Sequence, residues 1–277
     1  KNNIYIADNV GFIYALDTNT GRLIWIKNYG IPIRSKIKVF EDKIYLIDQD
    51  NKIICLSSKD GSQIWDILSI SSFIKTQDLL SLAVSKTGHL FSINSAGDLF
   101  KVDSSKGKII WSRSTSMSPY ATDTDFFKSS DIVITNNEII FSAESSIYSY
   151  KINNGEMNWE TKLKSIASPI VDGGNIFLIT ENGFFIILDK DTGAIVSSTN
   201  ILKILKKRKR ETKITGFIMG SGKIYSLTLN GHLIVSSAFS GKVEYSKKIG
   251  DQIKVSPIIN NGKLYILTEN SKIIGFN

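Results

Sequence analysis

Apolar residues alternate with polar ones in short runs along the whole chain, and the runs come in pairs. Lys43-Ile44-Tyr45-Leu46-Ile47 and Phe184-Phe185-Ile186-Ile187-Leu188 are β-branched and aromatic stretches of strand length, bounded by Asp-Asn or Asn-Gly turns. Asn182-Gly183 and Asn230-Gly231 are the strongest hairpin signals, read here as type I′ turns with two positive φ angles. A further short apolar stretch precedes a pair in Ser168-Pro169-Ile170-Val171 and in Ser256-Pro257-Ile258-Ile259. A helical period surfaces only at Ile201, Leu202, Ile204 and Leu205, which would line one face of a short helix capped by Asn200.

The pattern repeats as a unit. Ile4–Trp25, Ile44–Trp65, Leu90–Trp111, Ile139–Trp159, Ile176–Ser197 and Ile224–Tyr245 share it, anchored on Gly21, Gly61, Gly107, Gly155, Gly193 and Gly241. The anchors are 40, 46, 48, 38 and 48 residues apart. Ten residues before each lies a turn position: Gly11, Asn51, Gly97, Ser145, Gly183 and Gly231. The two inner turns are therefore fixed, and only the connection between units varies. A seventh copy, Leu264–Asn277, reaches its turn at Ser271 and stops before an anchor. Four strands in about 40–50 residues is the period of a propeller blade. The predicted fold is all-β: a single β-propeller domain over residues 1–277, of four-stranded antiparallel blades. Seven units are visible, the first without its leading strand and the last without its closing strand.

Composition removes several alternatives. With 42% hydrophobic and 22% charged residues among 277, the chain can bury a sizeable core. No run of about 18 apolar residues offers a transmembrane helix. One cysteine, Cys55, excludes a disulfide framework and a zinc site built on cysteine pairs. His89 and His232 are the only histidines, and both read as solvent-facing turn residues.

The net charge of +8 is concentrated in one place. Between Lys203 and Lys213 lie seven basic residues and one acid; the rest of the chain holds 27 basic and 25 acidic residues. Lys206, Lys207, Arg208, Lys209 and Arg210 form the densest part, where cations suit a helix C-terminus. This run is either a solvated loop or a patch for anionic lipid head groups or an acidic partner. No aromatics interleave it and no recognition module surrounds it, which argues against nucleic acid.

The anchor residues narrow the family. Ala15-x-Asp17-x-x-Thr20-Gly21-Arg22-x-x-Trp25 is a full copy of the tryptophan-docking pattern of propellers that resemble quinoprotein dehydrogenases. Trp65, Trp111 and Trp159 hold the same place four residues after Gly61, Gly107 and Gly155, whereas Ser197 and Tyr245 depart from it. A feature repeated with the scaffold belongs to the scaffold. Each indole is accordingly expected to pack one blade on the next, its N–H reaching a backbone acceptor. Cys55 occupies the alanine position of the pattern, which calls for a small buried side chain.

Over essentially its whole length the chain resembles the BamB family, the propeller lipoproteins of the outer-membrane β-barrel assembly machinery, and most strongly in two C-terminal passages. They are Ser165–Ile179, with its Ser-Pro-Ile-Val-Asp-Gly-Gly-Asn core, and Val255–Tyr265 followed by Ile273–Asn277. The Asn200–Leu205 insert sits where that family has a short helical connection. The resemblance implies a non-catalytic scaffold without cofactors at the periplasmic face of the outer membrane. It also implies an eight-bladed full-length ring whose first blade, signal peptide and lipid-bearing cysteine precede Lys1. Two inter-blade segments of that family dock on a periplasmic POTRA domain of BamA. Thr122-Asp123-Thr124-Asp125 resembles one of them and Ser72-Phe73-Ile74-Lys75 the other, so Asp123, Asp125, Phe73 and Lys75 are the candidate partner-binding residues. Lys75 stands where the family has arginine and lacks its bidentate fork. Asp123 and Asp125 also fit a plain turn cap. Other barrel-assembly subunits and unfolded outer-membrane proteins complete the implied partners.

Two other classes stay open. A PQQ-dependent quinoprotein needs calcium ligands, a catalytic carboxylate and ring-stacking groups; the sequence shows no cluster of Asp, Glu and Asn outside the turns. A general propeller adaptor would use the same scaffold for an unrelated partner.

Overall fold

A computed structural model of the chain describes residues 3–69, 79–115, 128–165, 167–205 and 212–276. Its strands form seven antiparallel sheets in sequence order. Blade 1 holds β1 (Asn3–Ala7), β2 (Phe12–Asp17) and β3 (Leu23–Asn28); blade 2 holds β4 (Lys38–Phe40), β5 (Lys43–Ile47), β6 (Lys52–Ser57) and β7 (Gln63–Leu68). Blade 3 holds β8 (Leu82–Val84), β9 (His89–Ile93), β10 (Asp98–Asp103) and β11 (Lys108–Ser114). Blade 4 holds β12 (Val133–Ile134), β13 (Glu138–Ala143), β14 (Ser146–Lys151) and β15 (Met157–Lys162). Blade 5 holds β16 (Ile170–Asp172), β17 (Asn175–Ile179), β18 (Phe184–Asp189) and β19 (Ile195–Asn200). Blade 6 holds β20 (Ile214–Gly220), β21 (Lys223–Thr228), β22 (His232–Ser237) and β23 (Val243–Lys248). Blade 7 holds β24 (Ile258–Asn260), β25 (Lys263–Leu267) and β26 (Ile273–Phe276). The first and last sheets have three strands and the others four, as the sequence pattern predicts. The fold is a β-propeller.

The turns are built from a short code. Asp8, Asp48 and Asn94 each begin the loop between the two central strands, and their Oδ1 accepts two loop N–H groups at 2.8–3.0 Å. Thr180, Thr228 and Thr268 hold the same place, each hydroxyl accepting one loop N–H at 2.9–3.3 Å. These residues lie three before the turn position in every one of those units, a regularity the sequence reading missed. Such loops are type I turns that end in one left-handed residue. Asn182 and Asn230 therefore do not adopt the predicted type I′ geometry: only Gly183 and Gly231 have positive φ, at 76° and 77°. The fourth unit differs again, because β13 runs on to Ala143 and the left-handed residue is Glu144, not Ser145.

The second turn of each unit has a constant backbone and a variable side chain. The anchor glycine donates its N–H to the carbonyl four residues back: Gly21 to Asp17, Gly61 to Ser57, Gly107 to Asp103, Gly155 to Lys151, Gly193 to Asp189 and Gly241 to Ser237. Where aspartate is present its carboxylate adds bonds to the turn, as Asp17 does with Asn19 and Thr20. The aspartate is dispensable because the backbone bond closes the turn without it.

After the anchor, pairing slips by one residue at the same place in five blades. Ala15 faces Trp25 but Leu16 faces Leu23, so Ile24 has no partner; Ile64, Ile110, Val196 and Glu244 are its equivalents. A bulge of this kind sharpens the local twist and re-aims the next side chain. In blades 1 to 3 that side chain is the tryptophan.

The chain divides into two compact units, Lys1–Ile139 with Tyr150–Glu156, and Ile140–Ser149 with Met157–Asn277. In the first unit Ile13, Ile44, Leu46, Ile54 and Leu56 pack together, and a second cluster joins Tyr45, Cys55, Leu90, Phe100 and Val102. In the second unit Trp159 joins Ile176, Leu178, Ile186 and Leu188, while Leu227, Leu233, Val235, Leu264 and Ile266 form another cluster. Burying each such side chain contributes roughly 1.5–3 kcal/mol.

A short 3-10 helix, Ile201–Ile204, replaces the predicted amphipathic turn of helix. Asn200 caps it as expected, its side chain accepting the Leu202 N–H at 3.1 Å. Ile201, Leu202 and Leu205 are buried but Ile204 is exposed, because three residues per turn cannot hold all four on one face. His232 is also corrected. It is buried, with its N–H on Thr228 Oγ1 and Nδ1 3.0 Å from Asn230 Oδ1, because the position after the turn glycine begins an interior strand.

Candidate functional site

The repeated site is the joint between successive blades. Trp25 Nε1 donates to Ser58 O at 3.2 Å, Trp65 to Ser104 O at 3.0 Å, Trp111 to Ile152 O at 3.1 Å and Trp159 to Lys190 O at 2.9 Å. Each acceptor lies three residues before the next anchor glycine, and that glycine receives the indole face. A Cβ on Gly107 would stand 2.7 Å from Trp65 Cδ2, and one on Gly155 2.8 Å from Trp111 Cε3. Gly61 and Gly193 face Trp25 and Trp159 in the same way. Gly21, which no indole meets, has open space around it. The anchor is glycine for two reasons, a positive φ and contact with an indole. The ring also packs against an aromatic two strands away, at tilts of 37–52°: Tyr5 with Trp25, Tyr45 with Trp65 and Phe91 with Trp111, at 5.9–6.1 Å between centroids.

Between each aromatic and its tryptophan lies one residue of the middle strand. Tyr5–Ala15–Trp25, Tyr45–Cys55–Trp65 and Phe91–Lys101–Trp111 are cross-strand ladders. Cys55 is fully buried there, and burial pushes its thiol up to about 11, away from reactivity. Lys101 is the exception in this row. Its side chain is buried, burial lowers its pKa, and Nζ donates to Ile152 O at 3.1 Å, the carbonyl that Trp111 also uses.

Asn51 takes the left-handed turn position that glycine holds in blades 1 and 3, with φ of 63°. Its Oδ1 accepts both the N–H and the hydroxyl of Ser95 at 2.9 Å, tying the turn of blade 2 to that of blade 3. A side chain that binds the next blade offsets the strain of a non-glycine residue there. The neighbouring Asp48 is buried, and its Oδ2 has no hydrogen-bond partner. Burial raises its pKa, against the N–H groups of Lys52 and Asp50 that lower it.

The candidate partner residues Phe73, Lys75, Asp123 and Asp125 lie outside the described residues, as do Lys206, Lys207, Arg208, Lys209 and Arg210. The ends of the segments that carry the first four are described. Ser69 and Thr115, the last residues before them, bond back to the turn of their own blade: Ser69 Oγ to Asn51 O at 2.7 Å and Thr115 Oγ1 to Gly97 O at 2.6 Å. On the return side Leu80 forms a parallel bridge with Ser35, and Ile132 N–H donates to Ser81 Oγ at 2.8 Å. Lys36 pairs with Asp131 at 2.5 Å across the same edge. Both connections thus leave and re-enter along one edge of the first unit.

No group of three His, Cys, Asp or Glu able to hold one metal ion occurs among the described residues. Nor is any helix among them long and apolar enough to cross a membrane.

Residues 1–199 match the family described as Outer membrane protein assembly factor BamB. The Moranella endobia protein of that name is 20% identical over 98% of this chain, which spans 61% of its length. A quinoprotein ethanol dehydrogenase of Pseudomonas putida is 25% identical, but over 40% of this chain and 21% of its own. The crystal structure of BamB from Moraxella catarrhalis superposes with a TM-score of 0.84 at 13% identity, covering 99% of this chain and 81% of its own. That superposition carries the fold, and the match over residues 1–199 carries the kinship: the chain belongs to the family of the outer membrane protein assembly factor BamB.

Proposed function

We propose that this chain is a non-catalytic scaffold of the machinery that assembles β-barrel proteins into the outer membrane. Residues 1–277 act in it as one propeller domain, held at the periplasmic face of the membrane by a lipid at the N-terminus of the intact protein. Its partners are the POTRA domains of BamA, other assembly subunits and, as clients, unfolded outer-membrane proteins. Asp123, Asp125, Phe73 and Lys75 carry the BamA contact, and the Lys206–Arg210 run strengthens attachment to an acidic partner or anionic head groups.

The observation that carries this reading is the family match over residues 1–199, with a relative named for outer-membrane assembly aligned along nearly the whole chain. The architecture supports it. In blades 1 to 4 the repeated tryptophan and glycine go into blade joints, and two connections leave from one edge of the first unit, where a rigid scaffold presents loops to a partner. Capture from periplasmic extract tests the proposal: a tagged chain should enrich a barrel-inserting subunit. Stoichiometric binding of PQQ with calcium and dye-linked alcohol oxidation, without such enrichment, would replace the scaffold with an enzyme.

A further inference from the structure

We infer that the joint between blades 5 and 6 is built to open, closed by a removable wedge where the preceding joint is closed by an indole. Within the second unit the two joints can be compared residue by residue. Between blades 4 and 5, Trp159 is buried among Ile176, Leu178, Ile186 and Leu188, and its N–H holds Lys190 O. Thr161, two residues on, donates to Gly193 O at 2.7 Å. Between blades 5 and 6 the tryptophan is Ser197, whose Oγ is buried without a hydrogen-bond partner.

Blade 6 carries two more buried hydroxyls in the same condition. Ser226 and Ser236 are fully buried, and neither Oγ has a partner. Each pairs across the β21–β22 ladder with an isoleucine, Ile234 and Ile224, of the cluster that fills this joint. A buried hydroxyl without a partner is destabilising relative to a solvated one. Opening the joint would return that cost, and among the described residues no such hydroxyl lies at the joint between blades 4 and 5.

The space of the missing indole is filled by other groups. Phe185 stacks on Phe177 with centroids 6.2 Å apart and reaches Gly241, where a Cβ would stand 2.9 Å from Thr199 Oγ1 and 3.5 Å from Phe185 Cδ1. The 201–205 segment then closes the joint from its end. Ile201, Leu202 and Leu205 are buried with Phe177, Phe185 and Ile187 of blade 5 and with Ile214, Phe217, Ile224 and Ile234 of blade 6. Leu202 packs directly on Gly183, and Ile201 N–H donates to Gly183 O at 2.9 Å. A pin inside a sheet leaves only when the sheet unfolds. A wedge on a connection is held by side-chain packing and by local bonds such as Ile201 N–H to Gly183 O, and it can withdraw while both blades stay folded.

Hydrogen exchange followed by mass spectrometry tests this on matched amides. Gly193 N–H is bonded to Asp189 O at 2.9 Å beside the indole, and Gly241 N–H to Ser237 O at 3.0 Å beside Thr199 and Phe185. The peptide carrying Gly241 should exchange at least tenfold faster than the one carrying Gly193. Leu202→Ala should speed the first at least tenfold further and leave the second within twofold. Equal protection of both in the unaltered chain, or equal acceleration of both in the variant, overturns the inference. If Leu202→Ala does not fold, Ile201→Val is measured in the same way, with the same two outcomes.

Discussion

Trp111 shows what single residues do here. Its indole is buried, donates to Ile152 O and lies on Gly155, so truncation removes a hydrogen bond and opens a cavity at once. Trp111→Ala should cost about 3–5 kcal/mol in urea denaturation. A loss below about 1 kcal/mol would contradict the docking role. This site was legible in the sequence because glycine and tryptophan recur at a fixed spacing of four. Lys101 was not, since a charged residue at a position that is alanine or cysteine in blades 1 and 2 carries no periodic signal.

Asp48 makes an opposite prediction. Its folded pKa is raised above the ordinary carboxylate value of 3.8, so folding favours the protonated form. The penalty is absent below about pH 3.8 and appears as pH rises through the folded pKa. Asn94 shows in blade 3 that an amide accepts the same pair of N–H groups. Asp48→Asn should therefore raise stability at pH 7 by about 1 kcal/mol, roughly 2–4 °C in Tm. The two proteins should converge in acid. Melting curves from pH 3 to pH 8 check this, and a variant less stable at pH 7 would refute it.

Elements were legible to the extent that their signals were local and repeated. Strands follow from β-branched and aromatic runs, and their order follows from turns at constant intervals. The turn geometry was partly misread at Asn182-Gly183, because a threonine two residues upstream selects a type I turn over the mirror-image form. The 3-10 helix was misjudged because its burial is set by blades 5 and 6 together, which no window of sequence contains. One pair of substitutions separates backbone from packing effects. Gly107 and Gly262 have φ of 66° and 74°, but only Gly107 faces an indole. Gly262→Ala should cost about 1–2 kcal/mol, the left-handed strain alone. Gly107→Ala should cost at least about 2 kcal/mol more, since the Trp65 ring must move. Equal losses in thermal denaturation would show that the indole contact contributes nothing.

At the scale of the whole molecule, the repeat revealed the propeller and the C-terminal passages revealed the family. The proposed binding residues are less legible. In the sequence Phe73, Lys75, Asp123 and Asp125 fall between units at connections of variable length, where a short motif such as Asp-x-Asp serves a turn and a partner equally well. What the fold adds is the edge from which both connections leave, fixed by Ser69, Thr115, Leu80 and Ile132. A partner held there by a few side chains would depend on them steeply while the joints carried the stability.

Calorimetric titration of the chain with the purified POTRA region of BamA tests the scaffold role most directly. The unaltered protein should bind, and the double substitution Asp123→Ala with Asp125→Ala should weaken binding at least tenfold, about 1.4 kcal/mol, at unchanged Tm. Absence of binding by the unaltered protein, or full affinity in the double variant, would contradict the account.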